Sequence, residues 1–307
     1  MYHKVPASAP PAPPLAAGAS RNKWEEILGS PKLPRNAPPR VRPVRRIEDN
    51  WFDARILEYE TEPGTWEKFA IVDGTPEDDG PKPLVIVPFY DVDSSMGLEA
   101  GGRNFSSSPV LWYARLAAQK GFLAVAVRWY GESYGERYDE AVANLAARHP
   151  GVTGLGKWVW DARRLLDYLV TLPDVDKARI GMIGHSLGGK MTMYAAAMDE
   201  RIRAAVVSDP GIPLASTNYQ DYWYLGDKLK VLPPGTDHHE LIRLIAPRSF
   251  LLIAGEADTE LSWSYLESAR PAFPDPNALG WIHHKTGHRP TPESISQALR
   301  WMWARLR

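Results

Sequence analysis

Ile180-Gly181-Met182-Ile183-Gly184-His185-Ser186-Leu187-Gly188-Gly189 is the stretch on which the fold turns. Its first four residues are apolar or small with no polar alternation, as in a parallel strand covered on both faces. Gly-x-Ser-x-Gly follows at once. Beyond it Ala195, Ala196 and Ala197 fall in a helical stretch small enough to lie flat on a sheet. A strand that turns directly into a helix forces the serine between them into a strained backbone conformation, and only glycine neighbours let the two elements approach so closely. This predicts an exposed serine hydroxyl at the end of a central strand, with Ser186 as candidate nucleophile.

The same pattern occurs at Gly131-Glu132-Ser133-Tyr134-Gly135, but its exit, Glu136-Arg137-Tyr138-Asp139-Glu140, is bulky and charged. Ser133 is therefore expected to be a loop residue at a pocket rim. Working outward from Ser186, candidate strands are Ala54–Glu60, Trp66–Val72, Leu84–Phe89, Phe122–Val127, Ile180–Ile183, Ala204–Val207, Phe250–Ala254 and Leu279–His283. Helical patterns separate them, such as Trp158, Ala162, Leu165, Leu166 and Leu169, or Ile295, Leu299, Met302 and Leu306 behind the start signal Thr291-Pro292-Glu293. An initial hairpin followed by strand–helix units implies a mostly parallel, eight-stranded α/β sheet flanked by helices. Three long connections, 90–108, 129–156 and 210–246, follow strand C-terminal ends, where such sheets place ligands. The last is expected to be a lid-like insertion.

A serine hydroxyl needs a base within reach, and histidine holds a proton transiently near neutral pH. Of the eight histidines, His288 lies in the Gly/Pro-punctuated loop Thr286-Gly287-His288-Arg289-Pro290, between the last strand and the last helix. His185 sits inside the turn, and His283 and His284 end a strand. His238 and His239 open a helix after Asp237, where consecutive side chains diverge by about 100° and argue against a shared metal. The carboxylate that orients the imidazole is expected in Gly255-Glu256-Ala257-Asp258, with Asp258 preferred and Glu256 and Asp209 as rivals. The chain order serine, aspartate, histidine matches one of the known convergent solutions.

Zero cysteines exclude disulfides and thiolate chemistry and fit a reducing, cytoplasmic setting. A net charge of −1 gives no electrostatic case for nucleic acid, and no apolar run is long enough to span a membrane. The first residues lack the apolar run of a cleaved signal. Residues 1–45 hold many of the 28 prolines and read as a Pro-rich flexible segment ahead of a folded domain at 46–307. Within it, Trp24-Glu25-Glu26-Ile27-Leu28 is a short helix able to dock, and the arginines from Arg40 to Arg46 read as a solvated linker. Nothing in the sequence gives the oligomeric state.

Over about residues 52 to 307 the chain resembles the α/β-hydrolase superfamily, in the turn Gly184–Gly188, the acidic loop Gly255–Asp258 and the Gly287-His288 loop. Gly184-His185-Ser186-Leu187-Gly188-Gly189-Lys190 and Gly287-His288-Arg289-Pro290 look like its dienelactone-hydrolase and acetylxylan-esterase branch. The run His238-His239-Glu240-Leu241 leading to Ala246-Pro247-Arg248 is similar to glucuronoyl esterases, which carry Cys before the serine and Arg after it where this chain has His185 and Leu187.

The resemblance implies a Ser186–His288–Asp258 triad hydrolysing a small-molecule ester, with a short acyl or acetylated group, and needing no metal or organic cofactor. It also implies an oxyanion hole from the Leu187 N–H and a group of Tyr90. The turn Pro88-Phe89-Tyr90-Asp91 departs from the usual His-Gly, and its Tyr-Asp pair looks like X-prolyl peptidases and cocaine esterase, where a tyrosine hydroxyl donates. Either Tyr90 atom fits. A peptidase or amidase, or a catalytically silent binding protein, are the alternative readings. Trp129, Tyr130, Tyr222 and Trp223, beside Tyr219 and Tyr224, are candidates to contact a sugar ring or an apolar acyl group, or else to pack as a closed lid.

Overall fold

The strands are β1 (Val41–Asp49), β2 (Phe52–Glu62), β3 (Thr65–Asp73), β4 (Lys82–Phe89), β5 (Leu123–Arg128), β6 (Val175–His185), β7 (Ala204–Ser208), β8 (Ser249–Ala254) and β9 (Leu279–His283). The helices are α1 (Arg21–Leu28), α2 (Val92–Met96), α3 (Tyr113–Ala118), α4 (Tyr138–Arg148), α5 (Gly154–Leu169), α6 (Leu187–Met198), α7 (His238–Ile245), α8 (Glu260–Ala269) and α9 (Pro292–Arg305). The computed structural model describes residues 20–50, 52–74, 80–99, 111–256 and 260–307. All strands join one sheet in the order β1-β2-β3-β5-β4-β6-β7-β8-β9. β1, β2, β3 and β5 pair antiparallel in succession, and every pairing from β5 through β4 to β9 is parallel.

Both faces of the sheet are covered because alternate side chains point to opposite sides. Leu84, Ile86, Leu123 and Val125 join one core with Trp158, Leu165 and Met191 of α5 and α6. Val85, Val87, Ala124 and Ala126 join the other with Ala117 of α3 and Leu299 and Met302 of α9. The indole N–H of Trp158 donates to the Met191 carbonyl at 2.7 Å, so the polar atom is satisfied within the α5–α6 seam. Among the described residues, no helix is long and apolar enough to cross a membrane.

The eight expected strands are present as β2 to β9, and the mostly parallel α/β architecture is as read. The ninth, β1, corrects the reading of Arg40–Arg46 as a solvated linker. Arg42 faces Glu58 across the β1–β2 ladder and pairs with it at 2.7 Å; Arg40 pairs with Glu60 at 2.5 Å and Arg46 with Asp53 at 2.5 Å. The Arg42 guanidinium also stacks 4.2 Å above the Trp66 ring. Pro43 sits at a register shift, where its missing N–H costs no ladder bond. Charges and a bulge on an edge strand also blunt it against pairing with other chains.

The described part of the 1–45 segment is likewise folded onto the body. Ser20 caps α1, and Trp24, fully buried, donates its indole N–H to Glu240 at 2.9 Å, while Lys23 pairs with the same carboxylate at 2.9 Å. Truncating such an anchor costs about 3–5 kcal/mol. Residues 1–19 lie outside the described residues. In the 210–246 insertion, Leu214, Tyr219, Tyr224 and Leu225 are buried and anchor it to the body.

Candidate active site

β6 runs into α6 with Ser186 between them at φ 54°, ψ −111°, a conformation disfavoured for any residue with a side chain. The glycines around it answer to contacts. A Cβ at Gly184 would stand 2.2 Å from the Gly188 carbonyl oxygen, one at Gly188 2.1 Å from that of Pro88, and one at Gly189 2.7 Å from that of Ser208. Helix α6 thus starts pressed against the ends of β4 and β7. The Ser186 N–H donates to the Ser208 carbonyl at 2.8 Å, and the serine side chain caps nothing. Its hydroxyl faces His288, with 2.8 Å between Oγ and Nε2. The His288 pKa is held below the ordinary imidazole value, first by partial withdrawal from water against the turn and then by His185; Asp209 acts the opposite way.

Asp258 lies outside the described residues. Its rivals are described. Glu256 is exposed, and its N–H donates to the Thr286 carbonyl at 2.8 Å, which lays the start of the acidic loop beside the His288 loop. Asp209, buried at φ 47°, accepts from the Gly255 N–H at 2.9 Å and from the Ser208 hydroxyl at 2.8 Å, and contacts His284 Nε2 at 3.0 Å. His185 Nδ1 lies 3.7 Å from it, and the His185 ring packs on that of His288 with centroids 4.8 Å apart. Neighbouring histidines hold the Asp209 carboxyl below its usual range, against the upward push of burial.

A cavity of about 210 Å³ opens beside Ser186 and His288, lined also by Tyr90, Lys190, Asp209, Ser216, Thr217, Asn218 and Tyr224. Lys190 stands one helical turn after Ser186, on the same face of α6. Its ammonium donates to the Pro210 carbonyl and to the Thr217 hydroxyl, both at 2.6 Å, and sits 3.9 Å over the Tyr219 ring. The sequence reading gave Lys190 no role beyond the motif; its spacing from Ser186 was the available signal. Among the described residues, no group of three or more His, Asp or Glu side chains is arranged to hold a metal.

Leu187 opens α6, so its N–H has no acceptor within the helix and lies next to the nucleophile. Tyr90 follows β4 at the spot where Gly188 touches Pro88, and it lines the cavity together with Tyr224. The four aromatic candidates for substrate contact lie outside this cavity's wall. Trp129 and Tyr130 are fully buried, and the Tyr130 hydroxyl donates to the Trp223 carbonyl at 3.0 Å. Tyr222 is half exposed and Trp223 packs on Tyr138 with centroids 5.5 Å apart; neither lines the cavity. The rings in its wall are those of Tyr90 and Tyr224. Ser133, at an unstrained φ of −137°, is turned to the Tyr130 carbonyl and is absent from the cavity wall, not at its rim.

The family model described as "Glucuronyl esterase, fungi" matches residues 144–216, which take in α5, β6, the serine turn and β7. YtaP of Bacillus subtilis (strain 168), a hydrolase by name with no substrate given, is 28% identical over 192 residues, 59% of this chain and 62% of that protein. The 4-O-methyl-glucuronoyl methylesterase 1 of Wolfiporia cocos (strain MD-104) is 28% identical over 137 residues, 34% of this chain and 32% of the relative. The chain thus spans less than two thirds of the curated relatives it matches. A glucuronoyl esterase from Solibacter usitatus superposes with a TM-score of 0.74 at 17% identity, covering 99% of both chains. Acetyl xylan esterase 1 from Thermoanaerobacterium sp. JW/SL YS485 does so with 0.57 at 17%, covering 97% of both. The fold is that of the α/β-hydrolases, and all of these matches except YtaP are esterases by name.

Proposed function

We propose that this chain is a serine esterase acting on a small, polar, sugar-type ester. The observation that carries the reading is the 2.8 Å contact between Ser186 Oγ and His288 Nε2 at a cavity lined by hydroxyl, amide and ammonium groups. Ser186 attacks the ester carbonyl while His288 takes its proton. The oxyanion rests on the Leu187 N–H and the backbone N–H of Tyr90, each donor worth about 3 kcal/mol. The alcohol leaves with the proton from His288, and water then repeats the sequence to release the acid. Asp258 orients His288 in this scheme. Its support is the bond from Glu256 N–H to the Thr286 carbonyl, which brings the chain to within two residues on either side of the pair.

A cavity of about 210 Å³ with Lys190, Ser216, Thr217 and Asn218 in its wall suits a short or hydroxylated group better than a long apolar chain. The names of the relatives, glucuronoyl methylesterase and acetyl xylan esterase, point the same way. Leu187, fully buried, puts no guanidinium at the position after the nucleophile, so there its backbone N–H carries that charge.

The test is a comparison of kcat/KM on the methyl ester of a glucuronic acid, acetylated xylose, p-nitrophenyl butyrate and octanoate, and matched amides. Turnover of a sugar ester above the octanoate, with amides at least about 100-fold slower, is expected. Equal cleavage of ester and amide would favour a peptidase with the same residues. No turnover of any ester, together with no labelling of Ser186 by a fluorophosphonate, would leave a silent hydrolase fold.

A further inference from the structure

Three non-glycine residues among those described have positive φ: Ser186 at 54°, Asp209 at 47° and Lys285 at 53°. All three sit at the C-terminal ends of parallel strands of the sheet, after β6, β7 and β9. Backbone strain of this kind persists only where surrounding contacts fix it. At Asp209 the side chain itself supplies them. Its carboxylate accepts from Gly255 N–H after β8 and contacts His284 Nε2 after β9, Ser208 Oγ on β7 and, at 3.7 Å, His185 Nδ1 on β6. One buried side chain therefore ties together the ends of four strands.

The tie reaches the base through His284. That ring is fully buried, bonds Thr286 Oγ1 at 2.5 Å through Nδ1, and its backbone N–H donates to the Ala254 carbonyl at 2.9 Å. Thr286 Oγ1 in turn donates to the Arg289 carbonyl at 3.0 Å, closing the loop around His288. There is no slack behind it: a Cβ at Gly255 would stand 2.4 Å from the Gly287 carbonyl oxygen and 2.5 Å from His284 Cε1.

We propose that Asp209 is a positioning residue: it clamps His284, and His284 holds the 284–289 loop so that His288 meets Ser186. The clamp gives Asp209 work of its own, separate from orienting the imidazole as the third member of the triad. It rests on the esterase reading for its kinetic consequences, and on geometry alone for the placement of His288.

Asp209→Asn, His284→Ala and His284→Gln, with the Asp209→Asn/His284→Ala pair, test it. Glutamine can return an N–H to the place of His284 Nε2, so it should restore much of what alanine loses. Asp209→Asn and His284→Ala should each lower kcat on p-nitrophenyl acetate by about 10- to 100-fold with KM within about twofold, as outer-shell partners of reactive groups do. The double variant should lose no more than the worse single one, since both cut the same link. The His288 ring, titrated by NMR, is faced by Ser186, His185, Asp209, Lys190 and Arg289. Its pKa should fall in Asp209→Asn, where a nearby negative charge is gone, and its resonance should move in His284→Ala. A loss of about 10⁴-fold in Asp209→Asn with His284→Ala harmless would make Asp209 the direct partner of His288 and overturn the clamp. Unmoved His288 resonances in both variants would overturn it too, whatever the activity. A wild-type protein with no turnover and no fluorophosphonate labelling would sink the esterase reading alone, and the NMR titration would still decide the clamp.

Discussion

His288 Nε2 stands 2.8 Å from Ser186 Oγ across 102 positions of sequence. Nothing local joins them: the serine leaves β6 and the histidine follows β9, with β7 and β8 between. Parallel strands make the meeting possible, because they deliver all their C-terminal ends to one side of the sheet. The strained turn lifts the hydroxyl out of the sheet, and the Gly287-bearing loop brings the ring down to it. The pair is the product of topology, so its chemistry is testable one residue at a time.

Ser186→Ala should lower hydrolysis of p-nitrophenyl acetate by at least about 10³-fold and abolish fluorophosphonate labelling, because among the described residues the hydroxyl bonded to His288 is that of Ser186. Ser133→Ala should keep most activity, since that hydroxyl is turned to Tyr130. Asp258→Asn should lose on the order of 10⁴-fold. Labelling that survives in Ser186→Ala and vanishes in Ser133→Ala would move the nucleophile to the other turn.

The pH–rate profile should follow the neutral fraction of His288. Withdrawal from water and the neighbouring His185 favour its neutral form, so its pKa lies below the ordinary value near 6.5. The base is therefore already active when the medium is mildly acidic, and kcat/KM should rise with pH along a limb centred below 6.5. A limb centred above 7 would contradict the geometry around the ring.

Eight strands were legible because buried parallel strands are short apolar runs with little ambiguity, and Ser186 and His288 because glycines punctuate both of their turns. β1 escaped notice for a physical reason. Arg42 and Arg46 on it, and Arg40 just before it, pair with Glu58, Asp53 and Glu60 on β2, a pairing that no window along the chain displays. Trp129 and Tyr130 are buried away from the cavity wall, since a cluster of rings announces burial without saying which face of it meets the cavity. Asp209 was weighed only as a rival acid, since the histidines it binds come from distant strands.

Gly188→Ala should destabilise the protein by about 3 kcal/mol, at the upper end for overpacking. The added methyl would stand 2.1 Å from the Pro88 carbonyl, a backbone atom that cannot swing aside. Gly226→Ala is the control: its φ is 53° but a Cβ meets nothing within 4 Å, so only conformational strain of about 1 kcal/mol applies. Urea unfolding of the two variants checks the ranking, and equal midpoints would refute the tight contact between α6 and β4.

Tyr90→Phe should cost less than about tenfold in kcat. In the proposed mechanism the donor is the backbone N–H, which this substitution leaves in place. A loss above about 100-fold with KM unchanged would transfer the donor role to the hydroxyl and bring the amidase reading forward.

Two buried groups should oppose each other in the acid stability of the fold. His238 is fully buried and neutral: Nδ1 bonds the Ile212 carbonyl, Nε2 lies 2.8 Å from the Tyr194 hydroxyl, and burial lowers its pKa to about 4. Its contribution is present above pH 6.5 and is lost as pH falls towards 4, because the unfolded chain takes up a proton that the folded one refuses. Glu67 behaves in the reverse sense. Burial raises its pKa to about 7 despite Arg128 at 3.3 Å, so its contribution is full below pH 4.5 and fades as pH rises through 7. Each term amounts to about 3 kcal/mol at 1.36 kcal/mol per pKa unit. Differences between wild type and single variants separate them. From pH 7 to 4, the unfolding free energy of wild type minus that of His238→Gln should shrink, while wild type minus Glu67→Gln should grow. Two differences that ran in the same direction would show that one of these side chains is not in the protonation state its burial dictates.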